Sequence, residues 1–331
     1  MTGLFGYTAG GVPIHAFELS SGALSATILN LGAILQDVRL SGVAHPLTLG
    51  TSDIAAYEGS MFSFGSLMGP VVNRIPGARA EIAGREYKFE PQTEAGHTLH
   101  MGQHGLHVKA WDVLEEGGST LRLGLSLTDG EAGLPGNRRV EAIYQLDGAT
   151  LSLEISATSD APTLFSLANH SYWNLDGSET YRRHRLRIAA DHILPAGPDL
   201  IPTGALEPAA GTAYDLREGA RLTADATQFF DTNFCLSEAD APLRPVAWLT
   251  GSSGVAMEIA TTAPGLQVYD GGTIEDAGHK LTSGTTCAPY AGIALEAQNW
   301  PGATRHGHFP SMIYGPDRAF RQQTTWSFSH A

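Results

Sequence analysis

The feature that most constrains the fold of this chain is an alternation of apolar and polar residues with a period of two. In Leu121–Leu127 every second residue is leucine, and Leu151–Ala157 alternates in the same way. Successive side chains of a β-strand point to opposite faces of a sheet, so this pattern predicts strands with one buried face. Val140–Leu146 precedes the second run, and Asp147-Gly148 between them is a favoured turn. The sequence therefore predicts a β-hairpin at this point.

The alternation recurs near the C-terminus, whereas helical periodicity is rare. Val255–Ile259 and Trp326–Ser329 both alternate. One short helix is indicated, with Ser52 as its cap, Tyr57 near its end and Gly59 after it. Many short strands separated by turns favour a sandwich or a barrel. We predict an all-β fold, a large antiparallel β-sandwich with few short helices.

No linker or internal repeat divides the chain, so we predict a single domain over residues 1–331. The chain has 331 residues, and single all-β domains can reach such sizes. Asp191–Gly211 is rich in proline and glycine, but apolar residues are mixed in. We interpret it as a long surface connection and not as a domain boundary.

The net charge of the chain limits the kinds of partner that it is expected to bind. The formal net charge is −14, from 34 acidic and 20 basic residues. Nucleic acids and anionic membranes are bound by basic patches, so neither is expected as a partner. A polyphosphorylated substrate is also disfavoured. The composition fits a neutral small molecule.

Two features bear on the cellular compartment. Met1–Gly6 lacks the basic and apolar regions of a secretory signal, and no run approaches the roughly 20 apolar residues of a membrane span. Cys235 and Cys287 form neither a disulfide framework nor a metal motif, and we interpret them as free thiols. A cytoplasmic location is expected.

Two long stretches without Asp, Glu, Lys or Arg contain polar residues, namely Gly59–Asn73 and Ala161–Leu175. Buried polar groups are costly unless they are paired or used. Taken as one strand, Phe165–Trp173 puts His170 on the face opposite Phe165. His170 is then either a hydrogen-bonded core histidine or a functional group.

A second segment of this kind is Ile293–Gln298. Its odd-numbered residues, Ile293, Leu295 and Ala297, are apolar and share one face, which predicts contact with the core. Glu296 and Gln298 then look away from that core, toward a concave and partly dry surface. Two alternatives remain open for Glu296: a solvated surface carboxylate, or a carboxylate with a perturbed pKa.

Histidines form a third cluster. Four occur within eleven residues, at His97, His100, His104 and His107. Their spacing matches no strong metal motif, so a metal site, one functional histidine and surface histidines all remain possible. The pair His306 and His308 is interpreted as part of a polar loop.

Beyond these patterns, the chain contains an ordered set of segments: Asn73-Arg74-Ile75; Leu99-His100-Met101-Gly102; Asn169-His170-Ser171-Tyr172-Trp173-Asn174-Leu175; Leu200-Ile201-Pro202-Thr203-Gly204; Phe230-Asp231-Thr232-Asn233-Phe234; Pro264-Gly265-Leu266-Gln267-Val268-Tyr269; and Leu295-Glu296-Ala297-Gln298-Asn299-Trp300-Pro301, followed by Phe309-Pro310-Ser311. With these segments in this order, the chain resembles the aldose 1-epimerase, or galactose mutarotase, family. The resemblance implies a large twisted β-sandwich with a sugar site in a groove of one concave sheet.

The resemblance also implies residue roles. His170 would be the general acid and Glu296 the general base of an aldose 1-epimerase that interconverts α and β anomers. No cofactor and no metal are implied. Substrate hydroxyls would be held by Asn73, Arg74, His100, Tyr172, Asp231 and Gln267.

Four residues depart from the family pattern, each beside a predicted binding position. They are Pro70, Met101, Thr232 and Asp270. We expect them to bear on sugar preference more than on activity.

The implied reaction opens and recloses a sugar hemiacetal in a hexose or pentose. We expect an ionised Glu296 to take the C1 hydroxyl proton while a protonated His170 donates to the ring oxygen. The pH profile should then be a bell, limited by Glu296 on the acid side and His170 on the basic side. Tyr172, Trp173 and Trp300 are candidates for an aromatic platform under the sugar, with a buried position as the alternative for Trp173.

Three alternative functions remain at this point. One is a non-catalytic sugar-binding domain. Another is a metal-dependent sugar isomerase or hydrolase that uses the His97–His107 cluster. The third is a relative that acts on sugar phosphates, which the net charge of −14 disfavours. The sequence leaves both monomer and homodimer open.

Overall fold

The fold consists mainly of antiparallel β-sheets, as the alternation of apolar and polar residues predicts. The computed structural model describes residues 2–223 and 230–330. In chain order, the first strands are β1 (Gly3–Tyr7), β2 (Pro13–Ser20), β3 (Leu24–Leu29), β4 (Ile34–Leu40), β5 (Leu67–Met68), β6 (Arg74–Ile75), β7 (Arg79–Ile82), β8 (Arg85–Lys88), β9 (Thr98–Leu99), β10 (Asp112–Glu116), β11 (Thr120–Leu127), β12 (Arg138–Asp147) and β13 (Thr150–Ser159).

The second half of the chain continues in the same style. Its strands are β14 (Thr163–Leu164), β15 (Ala168–Asn169), β16 (Tyr172–Trp173), β17 (Arg185–Ile188), β18 (His192–Leu194), β19 (Glu207–Pro208), β20 (Ala220–Arg221), β21 (Asp231–Cys235), β22 (Arg244–Thr250), β23 (Val255–Thr261), β24 (Gly265–Tyr269), β25 (Ile293–Gln298), β26 (Ile313–Tyr314) and β27 (Phe320–His330).

Helical structure is limited to short pieces in the described ranges. One α-helix, α1, covers Ile54–Tyr57. Short 3₁₀ turns cover Pro76–Ala78, Gly102–His104, Leu106–Val108 and Glu131–Gly133. Within residues 2–223 and 230–330, no helix combines the length and apolar character needed to span a bilayer.

Two large sheets organise the molecule. A nine-stranded sheet has the order β10-β11-β12-β13-β27-β23-β22-β17-β20, and a six-stranded sheet has the order β16-β25-β24-β21-β18-β19. The strands β1 to β4 form a four-stranded sheet of their own. All the strand pairs in these three sheets are antiparallel, which confirms the predicted all-β class.

The main core lies between the nine-stranded and six-stranded sheets. Leu123, Val140 and Trp326 from the first sheet and Leu266 and Leu295 from the second belong to one contiguous cluster of buried residues. Burial of apolar surface is the dominant favourable term in folding. The opposite, concave face of the six-stranded sheet is therefore free to carry polar groups.

The predicted hairpin is confirmed. Strands β12 and β13 pair antiparallel in continuous register from Arg138 opposite Ser159 to Asp147 opposite Thr150. Gly148 in the turn has a φ of 55°, a left-handed value that glycine adopts readily.

The predicted helix exists, but its cap was placed one residue too early. Asp53 is the cap, because its side chain accepts a hydrogen bond from the Ala55 amide at 3.0 Å. Ser52 lies outside the helix. A carboxylate and a hydroxyl cap helices about equally well, so the sequence did not choose between the two neighbours.

The interpretation of Asp191–Gly211 as a plain surface connection was wrong in part. It contains β18 and β19, which lie at the edge of the six-stranded sheet. Ile193 and Ile201 are buried. The proline and glycine content conceals these short elements, because two or three apolar residues are too few to give a periodic signal.

Candidate active site

A cleft of about 550 Å³ opens on the concave face of the six-stranded sheet. Seven of the eight residues predicted as site residues line it: Asn73, Arg74, His100, His170, Tyr172, Asp231 and Glu296. The eighth, Gln267, is buried beneath the cleft lining. The fold thus brings together residues that are up to 223 positions apart in sequence, from Asn73 to Glu296.

Strand β25 presents Glu296 to this cleft. Ile293, Leu295 and Ala297 belong to the main core, so the predicted division of the strand into two faces is confirmed. Glu296 is only 2% exposed. The alternative of a solvated surface carboxylate is excluded by this burial.

His170 faces the same carboxylate. Its Nε2 atom lies 3.5 Å from Oε1 of Glu296. The two side chains are therefore close enough for both to exchange protons with the same bound molecule.

The prediction of one continuous strand from Phe165 to Trp173 was wrong. The segment contains two separate short strands, which pair with different partners: β15 with β5 and β16 with β25. The His170 amide donates instead to the Ser66 carbonyl at 2.9 Å. Alternation predicts which side chains are buried but cannot show that the backbone changes partners. Phe165 is in the main core, and His170 faces the cleft.

Burial controls the ionisation of the pair. Desolvation lowers the pKa of His170 to about 4 and raises the pKa of Glu296 well above its usual range. Nearby Asp231 raises the pKa of Glu296 further, and Arg74 opposes this shift. Burial therefore favours the neutral forms of both groups, which reverses the order of ionisation expected from the sequence. Two closely coupled groups that share one proton titrate as a pair.

A polar chain runs along one side of the cleft. Arg74 Nη2 lies 3.4 Å from Asp231 Oδ2, and Gln267 Nε2 donates to Asp231 Oδ1 at 2.6 Å. Both partners of the ion pair are largely buried, with side chains 13% and 11% exposed. Gln267 thus holds Asp231 from below, so its contact with a sugar remains a prediction.

Asn73 and His100 support each other through the backbone. The Asn73 amide donates to His100 Nδ1 at 3.2 Å, so a neutral His100 carries its proton on Nε2. Burial lowers the pKa of His100 well below its usual value, which favours this neutral form. Both residues have left-handed φ values, 62° and 52°. Such conformations are uncommon outside glycine and cluster at functional sites.

The aromatic wall differs from the expected one. Trp173 is fully buried in the main core, and Trp300 is buried and donates to the Pro264 carbonyl at 2.8 Å, so neither is a platform. Tyr172 lines the cleft, as predicted, and Tyr269 stands edge-on to it at 6.1 Å between ring centroids. Phe62, on the cleft wall, is 37% exposed.

Sequence reasoning missed several lining residues. Phe62, Ser63, Leu200, Tyr269 and the run from Thr273 to Glu275 all contribute. Tyr269 had a usable signal in the sequence, because it lies two residues after the predicted site residue Gln267 and therefore shares its face of the strand. The others lie on loops, and loop positions carry no periodic pattern.

The histidine cluster does not form a metal site. His97 Nε2 donates to Asp199 at 3.2 Å, and exposed His104 lies 3.1 Å from Glu90. His107 is buried beside Phe62. Of the four histidines, His100 alone lines the cleft. Within residues 2–223 and 230–330, no group of three or more His, Cys, Asp or Glu side chains is arranged to hold a metal ion.

None of the four departures from the family pattern lines the cleft. Met101 packs in a small apolar cluster. Asp270 accepts hydrogen bonds from the amides of Phe230 and Gly272, at 3.2 and 2.8 Å, and so fixes a loop. Thr232 is buried within β21, and the Pro70 carbonyl accepts from Ser166. Any influence of these four residues on sugar preference is therefore indirect, and it stays a prediction.

Known proteins share both sequence and fold with this chain. The family model described as aldose 1-epimerase matches residues 15–327. Galactose mutarotase of Mus musculus is 34% identical, over 98% of this chain and 96% of its own length. Aldose 1-epimerase of Escherichia coli K12 is 30% identical, over 96% of each.

Solved structures agree. The crystal structure of an aldose epimerase homologue from C. elegans superposes with a TM-score of 0.88 at 28% identity, covering 96% of this chain and 99% of that one. Galactose 1-epimerase from Lactobacillus acidophilus NCFM gives 0.86 at 25% identity, with coverages of 100% and 98%. The chain belongs to the aldose 1-epimerase family.

Proposed function

We propose that this member of the family interconverts the α and β anomers of a free aldose, with His170 and Glu296 as its proton-transferring pair. The observation that supports this best is the 3.5 Å separation between His170 Nε2 and Glu296 Oε1 inside a buried cleft. A general acid and a general base must both reach the reacting atoms, directly or through one water.

The reaction needs two proton transfers and no net change in the enzyme. Glu296, as a carboxylate, takes the proton of the C1 hydroxyl, and His170, as an imidazolium, gives a proton to the ring oxygen. The C1–O5 bond breaks as the C1=O bond forms, which yields the open-chain aldehyde. After rotation about C1–C2, the ring oxygen attacks the other face of C1, and both protons return.

The ion-pair form of the couple is the one that can open the ring. Burial favours the neutral pair, so the reactive form must be stabilised within the cleft. Arg74 does this, because its positive charge lowers the pKa of Glu296. Hydroxyl groups of a bound sugar add hydrogen bonds to the charged forms, which are stronger than neutral ones.

The surrounding groups suit a neutral sugar. Arg74 and Asp231 offer charge-assisted hydrogen bonds, and Asn73 and His100 supply further polar groups near the pair. Among the described lining residues, Arg74 is the sole Lys or Arg, and it is already paired with Asp231. This favours a hexose or pentose over a phosphorylated sugar. Tyr172 and Tyr269 offer faces for its C–H groups.

Polarimetry of freshly dissolved α-glucose or α-galactose tests the proposal. The protein should speed the approach to anomeric equilibrium, and Glu296→Gln and His170→Asn should each lose about 10²–10⁴-fold in rate, the usual contribution of one positioned acid or base. Circular dichroism of both variants checks that they are folded.

The outcome separates the alternatives. Tight sugar binding by the wild-type protein without any mutarotation would mean a binding domain instead of an enzyme. A variant that keeps nearly the full rate would remove that residue from the proposed pair.

We also propose that residues 1–331 act as one domain, in the cytoplasm, as a monomer or a homodimer. The shared apolar core of the two large sheets supports the first point. Cys235 and Cys287, both free, fit a reducing compartment. Light scattering during size-exclusion chromatography distinguishes the two assembly states.

A further inference from the structure

The backbone of His170 lies between two short strands that pair with different partners. Strand β15 pairs with β5, and β16 pairs with β25. The two backbone hydrogen bonds of His170 run to the residues just before β5. Its amide donates to the Ser66 carbonyl at 2.9 Å, and its carbonyl accepts from the Gly65 amide at 3.1 Å. The chain therefore changes partners at the residue whose ring faces Glu296.

The side chain of Asn169 closes a turn around His170. Its Oδ1 atom accepts a hydrogen bond from the Ser171 amide at 3.2 Å. A bond from an asparagine side chain to the amide two residues further on forms an Asx turn, which replaces a backbone turn and restricts the residue in the middle. Here that residue is His170. The turn thus constrains the direction in which the imidazole leaves the backbone.

The amide nitrogen of the same side chain ties this turn to the core. Asn169 Nδ2 donates to the Gly65 carbonyl at 2.7 Å. The side chain also hydrogen-bonds the Tyr144 hydroxyl, which is fully buried and donates to the Ala33 carbonyl at 2.8 Å. One amide group thus joins the turn around His170 to backbone that is itself held by the core.

Proton transfer requires that the imidazole be accurately placed. His170 Nε2 lies 3.5 Å from Glu296 Oε1. A displacement of about 1 Å at a functional group can cost about 100-fold in rate, even when the mutation is far from the reacting atoms. Asn169 is buried, at 5% exposed, and does not line the cleft. Any effect of its amide on the reaction must therefore pass through the residues that it holds.

A second asparagine makes the same kinds of contact away from the site. Asn174 Oδ1 accepts from the Asp176 amide at 3.2 Å, and its Nδ2 donates to the carbonyls of Ser178 and Ala291 at 2.8 and 2.7 Å. It is also buried, at 3% exposed. The residue in the middle of its turn is Leu175, which packs in the main core. The two asparagines thus share their chemistry and differ in the residue that they hold.

We propose that Asn169 is a positioning residue for His170, which it holds through the Asx turn and through its bond to the Gly65 carbonyl. It keeps Nε2 of the imidazole at the distance from Glu296 at which both groups reach one substrate. Asn169 acts through His170 and does not itself touch the sugar. This inference rests on the proposed function.

Asn169→Ala tests the proposal, because it removes both contacts. We expect kcat to fall about 10–100-fold, since a misplaced imidazole transfers its proton less efficiently. KM should stay within about threefold, because Asn169 lies outside the cleft lining. The acid limb of the pH profile should follow His170, whose pKa burial lowers to about 4. In the variant this limb should move to higher pH, because a loosened ring is better hydrated and its pKa rises toward the ordinary histidine value.

Three further variants sharpen the test. Asn169→Ser keeps an oxygen that can accept from the Ser171 amide, so it should recover part of the lost kcat. Asn174→Ala is the matched control, which should lower the unfolding temperature while leaving kcat and the acid limb unchanged. In a His170→Asn background, Asn169→Ala should change the rate by less than about twofold, because a residue that acts only through His170 has nothing left to position.

The results separate two failures. If His170→Asn loses its activity but folded Asn169→Ala keeps the wild-type kcat and acid limb, the positioning role is overturned and the proposed function stands. An equal loss of kcat in Asn174→Ala, or a full further loss in the double variant, also overturns it. If Asn169→Ala does not fold, an unchanged kcat and acid limb in Asn169→Ser overturns it instead. If His170→Asn itself remains active, the proposed function fails first.

Discussion

The two faces of strand β25 are equally buried but serve opposite purposes. All six residues of the strand are buried. On one face, Ile293, Leu295 and Ala297 pack in the main core. On the other, Glu296 and Gln298 carry polar atoms without partners. Burial alone therefore does not separate the core face of this strand from its cleft face, whereas the polarity of the side chains does.

The difference is energetic. The core face stabilises the fold by removing apolar surface from water. The opposite face costs stability, because a buried carboxylate is held where its charged form is poorly solvated. Proteins commonly accept such costs at functional sites.

The largest expected effect comes from removing the charge of that carboxylate. Glu296→Gln should lose about 10²–10⁴-fold in rate and yet unfold at a higher temperature at pH 7. The folded protein holds the Glu296 proton more tightly than the unfolded chain does, so stability falls as pH rises above the ordinary glutamate pKa. The variant lacks this loss. Calorimetry at pH 4 and pH 7 checks the sign: the gain should be present at pH 7 and nearly absent at pH 4.

The opposite face should behave in the opposite way. Leu295→Ala should lower the free energy of unfolding by about 2–5 kcal/mol, the usual cost of a cavity in a core. Its folded fraction should keep a kcat close to that of the wild type. Urea unfolding and polarimetry on the same sample measure both quantities. A large fall in kcat without a loss of stability would erase the contrast between the faces.

The pH profile sharpens the comparison further. Because burial lowers the pKa of His170 to about 4 and raises that of Glu296, the acid limb should follow His170 and the basic limb Glu296. This is the reverse of the order expected from ordinary pKa values. Beyond each limb, kcat/KM should fall about tenfold per pH unit.

Nuclear magnetic resonance of labelled histidine measures the same property without turnover. The His170 ring should titrate near pH 4 in the free protein. If the His170 ring instead titrates near pH 6.5 while the acid limb of the pH profile lies near pH 4, that limb belongs to Glu296. The order of ionisation expected from the sequence would then be correct.

The smallest effect is expected far from β25. His104 is exposed and pairs with Glu90 at the surface, where ion pairs contribute about 0–1 kcal/mol. His104→Ala and treatment with a chelator should both leave the rate within about twofold of the wild type. A rate abolished by chelation and restored by a divalent cation would revive the metal-dependent alternative.

Much of the fold could be read from the sequence, for a definite reason. Strands with one buried face alternate in hydrophobicity, so β11, β12, β13 and β25 were predicted with their faces. The prediction of one strand over Phe165–Trp173 was wrong because the backbone groups of this segment bond to several different segments, which no local pattern records. The prediction of an aromatic platform was wrong at Trp300, because its indole is buried and donates a hydrogen bond to the Pro264 carbonyl.

The sequence by itself determined the sheet class, the apolar face of β25 and, by family resemblance, the residues that gather at the cleft. Only the tertiary structure decided which of them meet, how far they are buried and which hold others from below. Gln267 under Asp231 and the His170–Glu296 contact both depend on strands that are distant in sequence. Ionisation depends on the same packing, because the solvation of a charge is set by everything that surrounds it.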